Sequence, residues 1–543
     1  MKTNLLQILF LGLMLQTASA QEFVHPGILH TREDLWQWST EVPNTSAHPK
    51  YAHPQAYLWI PPSCQEVKAL IVSQHNMEEL SILENKGFRR KMAELDVAEL
   101  WICPRFNLPF DFTDGAWEGL DAALEQLAAG SGYEELVCAP LIGLGHSAAA
   151  SNPYYMAASR PERILACIST SGQWPYHRDN IFCPDVWGDR TVDFIPCLET
   201  MGEYEAAESW ALRGLKERAE HPLTPLSMLA CPGEGHFAAS PEKAQYIALF
   251  IKKALQYGHV DPTREGWLLE RWHEDAGPTC PPAPVGLYSG DPADAFWFFD
   301  EEMVRATQEY EARFRGKKRQ LVGVLQNGKP VSQQNTHMQL HPEFRTEEDG
   351  ITIPLKPFFY DTVSDGSPRH RTWSHLEPGS PIGHAEGLPY LEIIAAPAYV
   401  SSDTTLTLSW NRMAAWEEKE VFIDFCIKHP GDEEYRPAVQ QARITLPIRL
   451  TEGREQHISF RPIRNVRRGT RSLFLHASSD SGLPVSFYAE CGPVRVEGNR
   501  LIFEEMPPRS KYPVKISVVA FQYGRKGDVR TADPVRQVFY ITE

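Results

Sequence analysis

The sequence predicts an α/β protein at its start, a mostly parallel sheet with helices on both faces, followed by β-sandwich domains. Three observations carry this. From about residue 56 to 258, short apolar runs alternate with amphipathic helices. Beyond about residue 260 the apolar residues recur with period two, punctuated by turn residues. The chain has 543 residues, while single hydrophobic cores stop growing near roughly 250–300.

The first segment, MKTNLLQILFLGLMLQTASA, pairs a positive Lys2 with an apolar stretch from Leu5 to Leu15 and a small-residue site at Ala18-Ser19-Ala20. This is the pattern of a cleaved export signal. Its apolar run is shorter than the ~20 residues a bilayer requires. No Cys follows the cleavage point, so no lipid anchor is expected. Residues 1–20 are therefore expected to be a signal peptide, and the mature protein to be periplasmic or secreted.

The apolar runs that follow are Ala69–Ser73, Leu100–Cys103, Leu136–Leu144, Ile164–Ser169, Phe194–Thr200 and Ser227–Cys231. Each reads as a buried strand. Between them, Trp117, Leu120, Leu124 and Leu127 recur at helical spacing up to Gly130. Ser240-Pro241 reads as an N-cap and first-turn pair. It opens a helix that buries Ala244, Ile247, Ala248, Ile251 and Leu255 and ends near Gly258. Residues 276–286, rich in Pro and Gly, read as a connector, and a helix is expected around Asp294–Phe314. Leu406, Leu408 and Trp410, then Leu473, Leu475 and Ala477, then Val514, Ile516 and Val518 mark strands of antiparallel sandwiches. A break falls near Thr451–Glu455. The expected spans are 21–260 for the α/β domain, 261–320 for a connector with one helix, 321–452 for a β-rich middle domain and 453–543 for the last module.

Hydrophobic residues make up 42% and charged residues 23%, and the net charge is −17. That excludes a mainly disordered chain or a multi-span membrane protein. The acidic balance also argues against nucleic acid and against docking on an anionic membrane. Ten cysteines without a CxxC argue against a zinc ribbon or a thioredoxin-type site. Cys103, Cys138, Cys167, Cys197 and Cys231 read as buried thiols in or beside strands. His370, His375, His384, Asp365 and Glu386 cluster in a loop-like stretch, but their spacing matches no metal-ligand motif. No metal and no cofactor are expected.

The segment Leu141-Ile-Gly-Leu-Gly145-His146-Ser147-Ala148-Ala149-Ala150 runs from an apolar strand into a helix through small residues. A serine at such a turn is either a helix cap or a nucleophile raised above the sheet. The order of its partners favours the nucleophile. A serine hydroxyl needs a base to take its proton and an acid to orient that base. Strand-end loops downstream supply an acidic turn, Gly202-Glu203-Tyr204-Glu205, and then Gly235-His236-Phe237.

Residues of about 56–258 resemble an α/β-hydrolase. Ala149 stands where that family usually has Gly. The resemblance implies Ser147 as nucleophile and His236 as base. It selects Glu205 as the acid, three residues after Gly202, with Glu203 as the alternative. It implies an oxyanion hole from the Ala148 amide and the Met77 amide, the latter following His75-Asn76, which resembles a His-Gly pair. His75 itself reads as a residue that orients this loop. Trp174, Tyr176 and Arg178 lie in a loop on the active-site side and are expected to face substrate. The last module resembles Ig-like sandwiches appended to secreted bacterial enzymes, on Gln456–Phe460, Ser481–Val485 and Pro513–Val518.

The reading that follows is a secreted serine esterase. It would remove methyl or acetyl groups from a polysaccharide such as pectin or hemicellulose, and its partner would be a polysaccharide or oligosaccharide ester. A serine peptidase or a general lipid or small-molecule esterase is the alternative. An inactive glycan-binding protein is the third. A surface this acidic would repel free polyuronate and tolerate neutral or esterified glycan, unless a local cation such as Arg178 offsets it.

Overall fold

A computed structural model describes residues 32–43, 53–177, 187–238, 240–334, 338–413 and 418–543. The export signal and Arg178 lie outside these residues.

The catalytic half is an eight-stranded sheet of order β1-β2-β4-β3-β5-β6-β7-β8. The strands are β1 (Trp38–Glu41), β2 (Gln55–Trp59), β3 (Ala69–Gln74), β4 (Val97–Cys103), β5 (Leu141–His146), β6 (Ile164–Thr170), β7 (Cys197–Gly202) and β8 (Leu226–Cys231). From β4 to β8 all neighbours run parallel, while β1 and β2 are antiparallel. Every residue of β3, β4, β5, β7 and β8 is buried, as expected of parallel strands covered on both faces. The helices between them are α1 (Glu79–Leu83), α2 (Lys86–Glu94), α3 (Ala116–Ser131), α4 (Asn152–Ser159), α5 (Ala207–Glu220) and α6 (Pro241–Tyr257). α3 buries Trp117, Leu120, Leu124 and Leu127 and stops at the left-handed Gly132. α6 starts where Ser240 Oγ accepts the Lys243 N–H at 3.1 Å, with Pro241 in its first turn.

Two sequence expectations need correcting. Leu136 and Val137 close a 3-10 turn before β5, and Cys138 beyond them is exposed. Residue 260 is no domain boundary. Trp267–Glu270 and Ala295–Phe298 pair as strands, and Phe296, Trp297, Met303 and Val304 join the core of the catalytic half. The helix expected from Asp294 starts only at Glu301, capped by Asp300 Oδ1, which accepts the Met303 N–H at 3.0 Å. The apolar period of Phe296–Phe298 belongs to the strand, and helix and strand share too short a window for periodicity to separate them.

Beyond residue 320 the strands pair antiparallel, except that Val466–Arg467 runs parallel to Val535–Thr542. The middle domain is built on Tyr390–Ala395, Glu420–His429 and Ala438–Pro447, with two further three-stranded sheets. In the last module a four-stranded and a three-stranded sheet enclose a separate core that includes Leu501, Ile516 and Phe539. The three parts touch in a cycle. Tyr488, Val519, Phe521 and Tyr523 of the last module enter the middle domain's core. Arg509 of the last module donates to Glu135 Oε1 at 2.9 Å and to Gly132 O at 3.1 Å in the catalytic half. The Gly492 N–H donates to Trp36 O at 3.0 Å, near the first strand.

Candidate active site

β5 ends at His146, and Ser147 opens a 3-10 turn with φ of 53°. That left-handed conformation is unusual for serine and costs of order 1–3 kcal/mol, a strain typical of functional turns. The elbow tolerates only small neighbours. A Cβ on Gly145 would lie 2.1 Å from Ala149 O, and one on Gly172 would lie 2.0 Å from the Ala150 Cβ. Ala149 itself is fully buried, so the place where the family usually has Gly accepts one methyl and no more.

The two partners arrive from the ends of β7 and β8. His236 Nε2 lies 3.0 Å from Ser147 Oγ, and His236 Nδ1 lies 2.7 Å from Glu205 Oε1. The structure thus brings Ser147, His236 and Glu205 into one hydrogen-bonded line. His146 Nε2 lies 2.7 Å from His236 O, which fixes the histidine loop to the elbow. Ala148 follows Ser147 in the turn's first residues, whose amides have no carbonyl inside the turn to bond.

Glu203, the alternative acid, has other partners. It accepts from Gly233 N at 2.8 Å, from Arg319 Nη1 at 3.1 Å and from Arg436 Nη2 at 2.9 Å. Both arginines come from residues C-terminal to the catalytic sheet, so Glu203 ties the acid turn and the histidine loop to the rest of the chain. Tyr204 O accepts the Trp373 indole N–H at 2.7 Å, and Tyr204 OH donates to Pro437 O at 3.2 Å. Met77, Tyr204 and Phe237 share an apolar cluster with Trp373, Ile394 and Val439. The middle domain thus packs against the loops that flank the serine, which no sequence signal had placed there.

Met77 corrects the expected oxyanion hole. Its N–H donates to Glu79 Oε2 at 2.8 Å, and an amide has only one hydrogen to give. Glu79 is fully buried and also accepts from Asn76 N at 3.1 Å and, through Oε1, from His146 N at 3.0 Å. One carboxylate therefore joins the loop after β3 to the nucleophile elbow. The sequence reading missed it, although Asn76-x-x-Glu79 before Leu80, Ile82 and Leu83 has the spacing of a capping box.

Burial pushes the Glu79 carboxyl up to about 7, against the pull of those three amides. The folded protein therefore holds a proton between pH 4.5 and 7 that the unfolded chain has released. Stability contributed by this group is full below the unfolded value and falls as pH rises toward the folded one. Glu79→Gln is expected to flatten that decline by on the order of 3 kcal/mol. Urea unfolding of both proteins at the two ends of the window measures it.

The aromatic loop also needs correcting. Trp174 is only 1% exposed and stacks on Phe296 at 5.6 Å, with its indole N–H donating to Trp210 O at 3.0 Å. It is core, because α5 and the strand Ala295–Phe298 cover it. Tyr176 is half-buried, with its ring 3.6 Å from that of His221 and its hydroxyl accepting from Val192 N at 3.0 Å. It braces the loop instead of presenting a face to substrate. His75 is held neutral, its pKa lowered to about 3 by burial and then by Arg105 and Arg443. His370, expected in a solvated loop, is buried beside Tyr360.

The strand order and the strained serine elbow give this half of the chain an α/β-hydrolase fold, with the Ser–His–Glu line at the C-terminal ends of its strands. No family model and no curated protein matches the chain. Among solved structures, the chain is similar to dienelactone hydrolase from Anabaena variabilis at 15% identity and a TM-score of 0.29, covering 41% of this chain and 98% of that one. It is similar to Est1E from Butyrivibrio proteoclasticus at 15% identity and a TM-score of 0.28, covering 40% and 99%. An S-formylglutathione hydrolase from Agrobacterium tumefaciens is 12% identical with a TM-score of 0.29, covering 40% and 94%.

Proposed function

We propose that the chain is an exported serine esterase that removes methyl or acetyl groups from a polysaccharide of the pectin or hemicellulose kind. The observation that carries the esterase reading is the line from Glu205 through His236 to Ser147 at 2.7 and 3.0 Å. In that line His236 takes the Ser147 proton as Oγ attacks the ester carbonyl, and Glu205 stabilises the imidazolium. The Ala148 amide meets the oxyanion, and His236 returns the proton to the leaving alcohol. Water activated by His236 then clears the acyl-enzyme. Support for a glycan substrate is the export signal and the appended β domains, an analogy of architecture.

The test assays the full chain and Ser147→Ala on p-nitrophenyl acetate, methylated pectin, acetylated xylan and a peptide panel. Esterase activity lost in the variant is the expected result. Turnover confined to peptides would sink the ester reading in favour of a peptidase. Export has its own check. Expression with the native leader in a Gram-negative host is expected to give a mature protein beginning at Gln21, read by N-terminal sequencing.

A further inference from the structure

The negative charge is not spread evenly along the chain. Residues 453–543 hold fifteen Lys and Arg against nine Asp and Glu, a net of +6, which leaves −23 on residues 1–452. The excess gathers in one stretch, Arg461-Pro-Ile-Arg464-Asn-Val-Arg467-Arg468-Gly-Thr-Arg471. All five of its arginines are exposed, and none forms an ion pair among the described residues. Elsewhere in the module arginines are paired. Arg454, Arg495, Arg509, Arg525, Arg530 and Arg536 each lie within 4.0 Å of a carboxylate. Arginines one to three residues apart sit at most about 11 Å apart along the backbone, close to the ~10 Å over which salt screens charges. Five of them left unpaired repel one another, and a bound polyanion relieves that repulsion.

Backbone bonds fix the stretch and leave its side chains to solvent. Asn465 Oδ1 accepts the Tyr540 N–H at 3.0 Å, and the Arg468 N–H donates to Thr542 O at 2.8 Å. Between them Val466 and Arg467 pair in parallel with Ile541 and Thr542. The stretch thus forms an outer strand beside Val535–Thr542, whose other neighbour, Val514–Phe521, sets Lys515 opposite Tyr540. Residues opposite one another, or two apart on one strand, share a face of the sheet. Arg467, Lys515, Tyr540 and Thr542 therefore share one. It is the outward face, because Phe539 and Ile541 point the other way, into the module's core. Tyr540 is 38% exposed on it.

This face offers an aromatic ring, against which the apolar C–H face of a sugar packs, beside guanidinium forks, which take carboxylates by two hydrogen bonds. A uronic acid carries both complements on one residue, and its polymer repeats them along a chain that can follow a strip of arginines. Single-stranded nucleic acid stacks successive bases on successive rings, whereas Tyr540 is the one exposed ring on this face among the described residues. A planar anionic membrane would also meet the −23 carried by the rest of the chain.

We propose that this face of the last module is a docking site for an acidic polysaccharide, a polyuronate chain with carboxylates on the arginine strip and a sugar ring on Tyr540. The site goes beyond the serine-esterase reading, and binding to it requires no turnover. The repulsion of polyuronate expected from the net charge then belongs to residues 1–452 and not to this module.

The experiment titrates the full chain calorimetrically with polygalacturonate, which has no ester to cleave, and with xylan, oligo-dT and phosphatidylglycerol vesicles. Polygalacturonate is expected to bind at least about tenfold more tightly than xylan, with an affinity that falls as salt is raised from about 50 to about 200 mM. Arg464→Gln/Arg467→Gln/Arg471→Gln is expected to weaken that binding by at least about tenfold. Arg468 is left in place because its guanidinium lies 5.5 Å from the centre of the Tyr512 ring. Tyr540→Ala is expected to weaken it by at least about threefold. Melting temperatures of both variants should stay near that of the parent, since the altered side chains are exposed. Unchanged affinity in either variant, equal binding of xylan, or tighter binding of oligo-dT or of the vesicles overturns the proposal. A protein that binds polygalacturonate in this way but fails to turn over p-nitrophenyl acetate keeps the docking site and loses the esterase reading.

Discussion

Ser147→Ala is expected to lower kcat on p-nitrophenyl acetate by roughly 10⁴- to 10⁶-fold, because it removes the atom that forms the acyl-enzyme. The fold should survive. Ser147 Oγ makes its hydrogen bond to His236, worth about 1 kcal/mol, and Ala occupies the same strained turn at similar cost. His236→Ala should cost about as much as Ser147→Ala, and the double variant little more than either. Groups that act on one proton cannot be removed twice. Kinetics of the two single variants and the double variant, with thermal melts of each, form the measurement. Losses that simply multiply would mean that Ser147 and His236 act separately.

Glu203→Ala is expected to destabilise the protein by about 3–5 kcal/mol, because removing one partner of a buried ion pair leaves an uncompensated charge. Arg436, 3% exposed, would retain Asp275 at 3.6 Å as its nearest carboxylate among the described residues. Glu205→Gln should do the reverse. It is expected to lower kcat by on the order of 10³- to 10⁴-fold, because the amide no longer holds the imidazolium, and to move the melting temperature little. Melting temperatures and kcat of the two variants separate the roles. A kcat loss in Glu203→Ala without a change in melting, beside an active Glu205→Gln, would reverse the assignment of the acid.

These two glutamates show what the sequence reveals and where it stops. The order Ser147, Glu205, His236 was legible because each follows a strand whose apolar run is short and unambiguous. The choice between Glu203 and Glu205 was not decided by the residues, since both lie in the same acidic turn. It is decided by Arg319 and Arg436, more than a hundred residues away, and no local pattern announces such a pairing. Trp174 misled for a related reason. An aromatic in a polar loop looks exposed until a distant strand, here Ala295–Phe298, covers it. Met77 misled because the fate of its amide depends on Glu79, a carboxylate that an acidic pair of residues hides in plain sight. The parallel sheet was legible from hydrophobic runs alone. The antiparallel strands β1 and β2 were not, since Trp38–Glu41 has too little apolar alternation to stand out.

The cycle of contacts through Glu203, through Tyr488 and through Arg509 has a consequence for how strong each junction must be. When two junctions are closed, the third pair of surfaces is held at a high effective concentration, so a modest contact suffices to keep it shut. Losing Arg509 alone should therefore loosen little. Cutting the chain after the catalytic half would open two junctions at once, and with them the turn that carries Glu205.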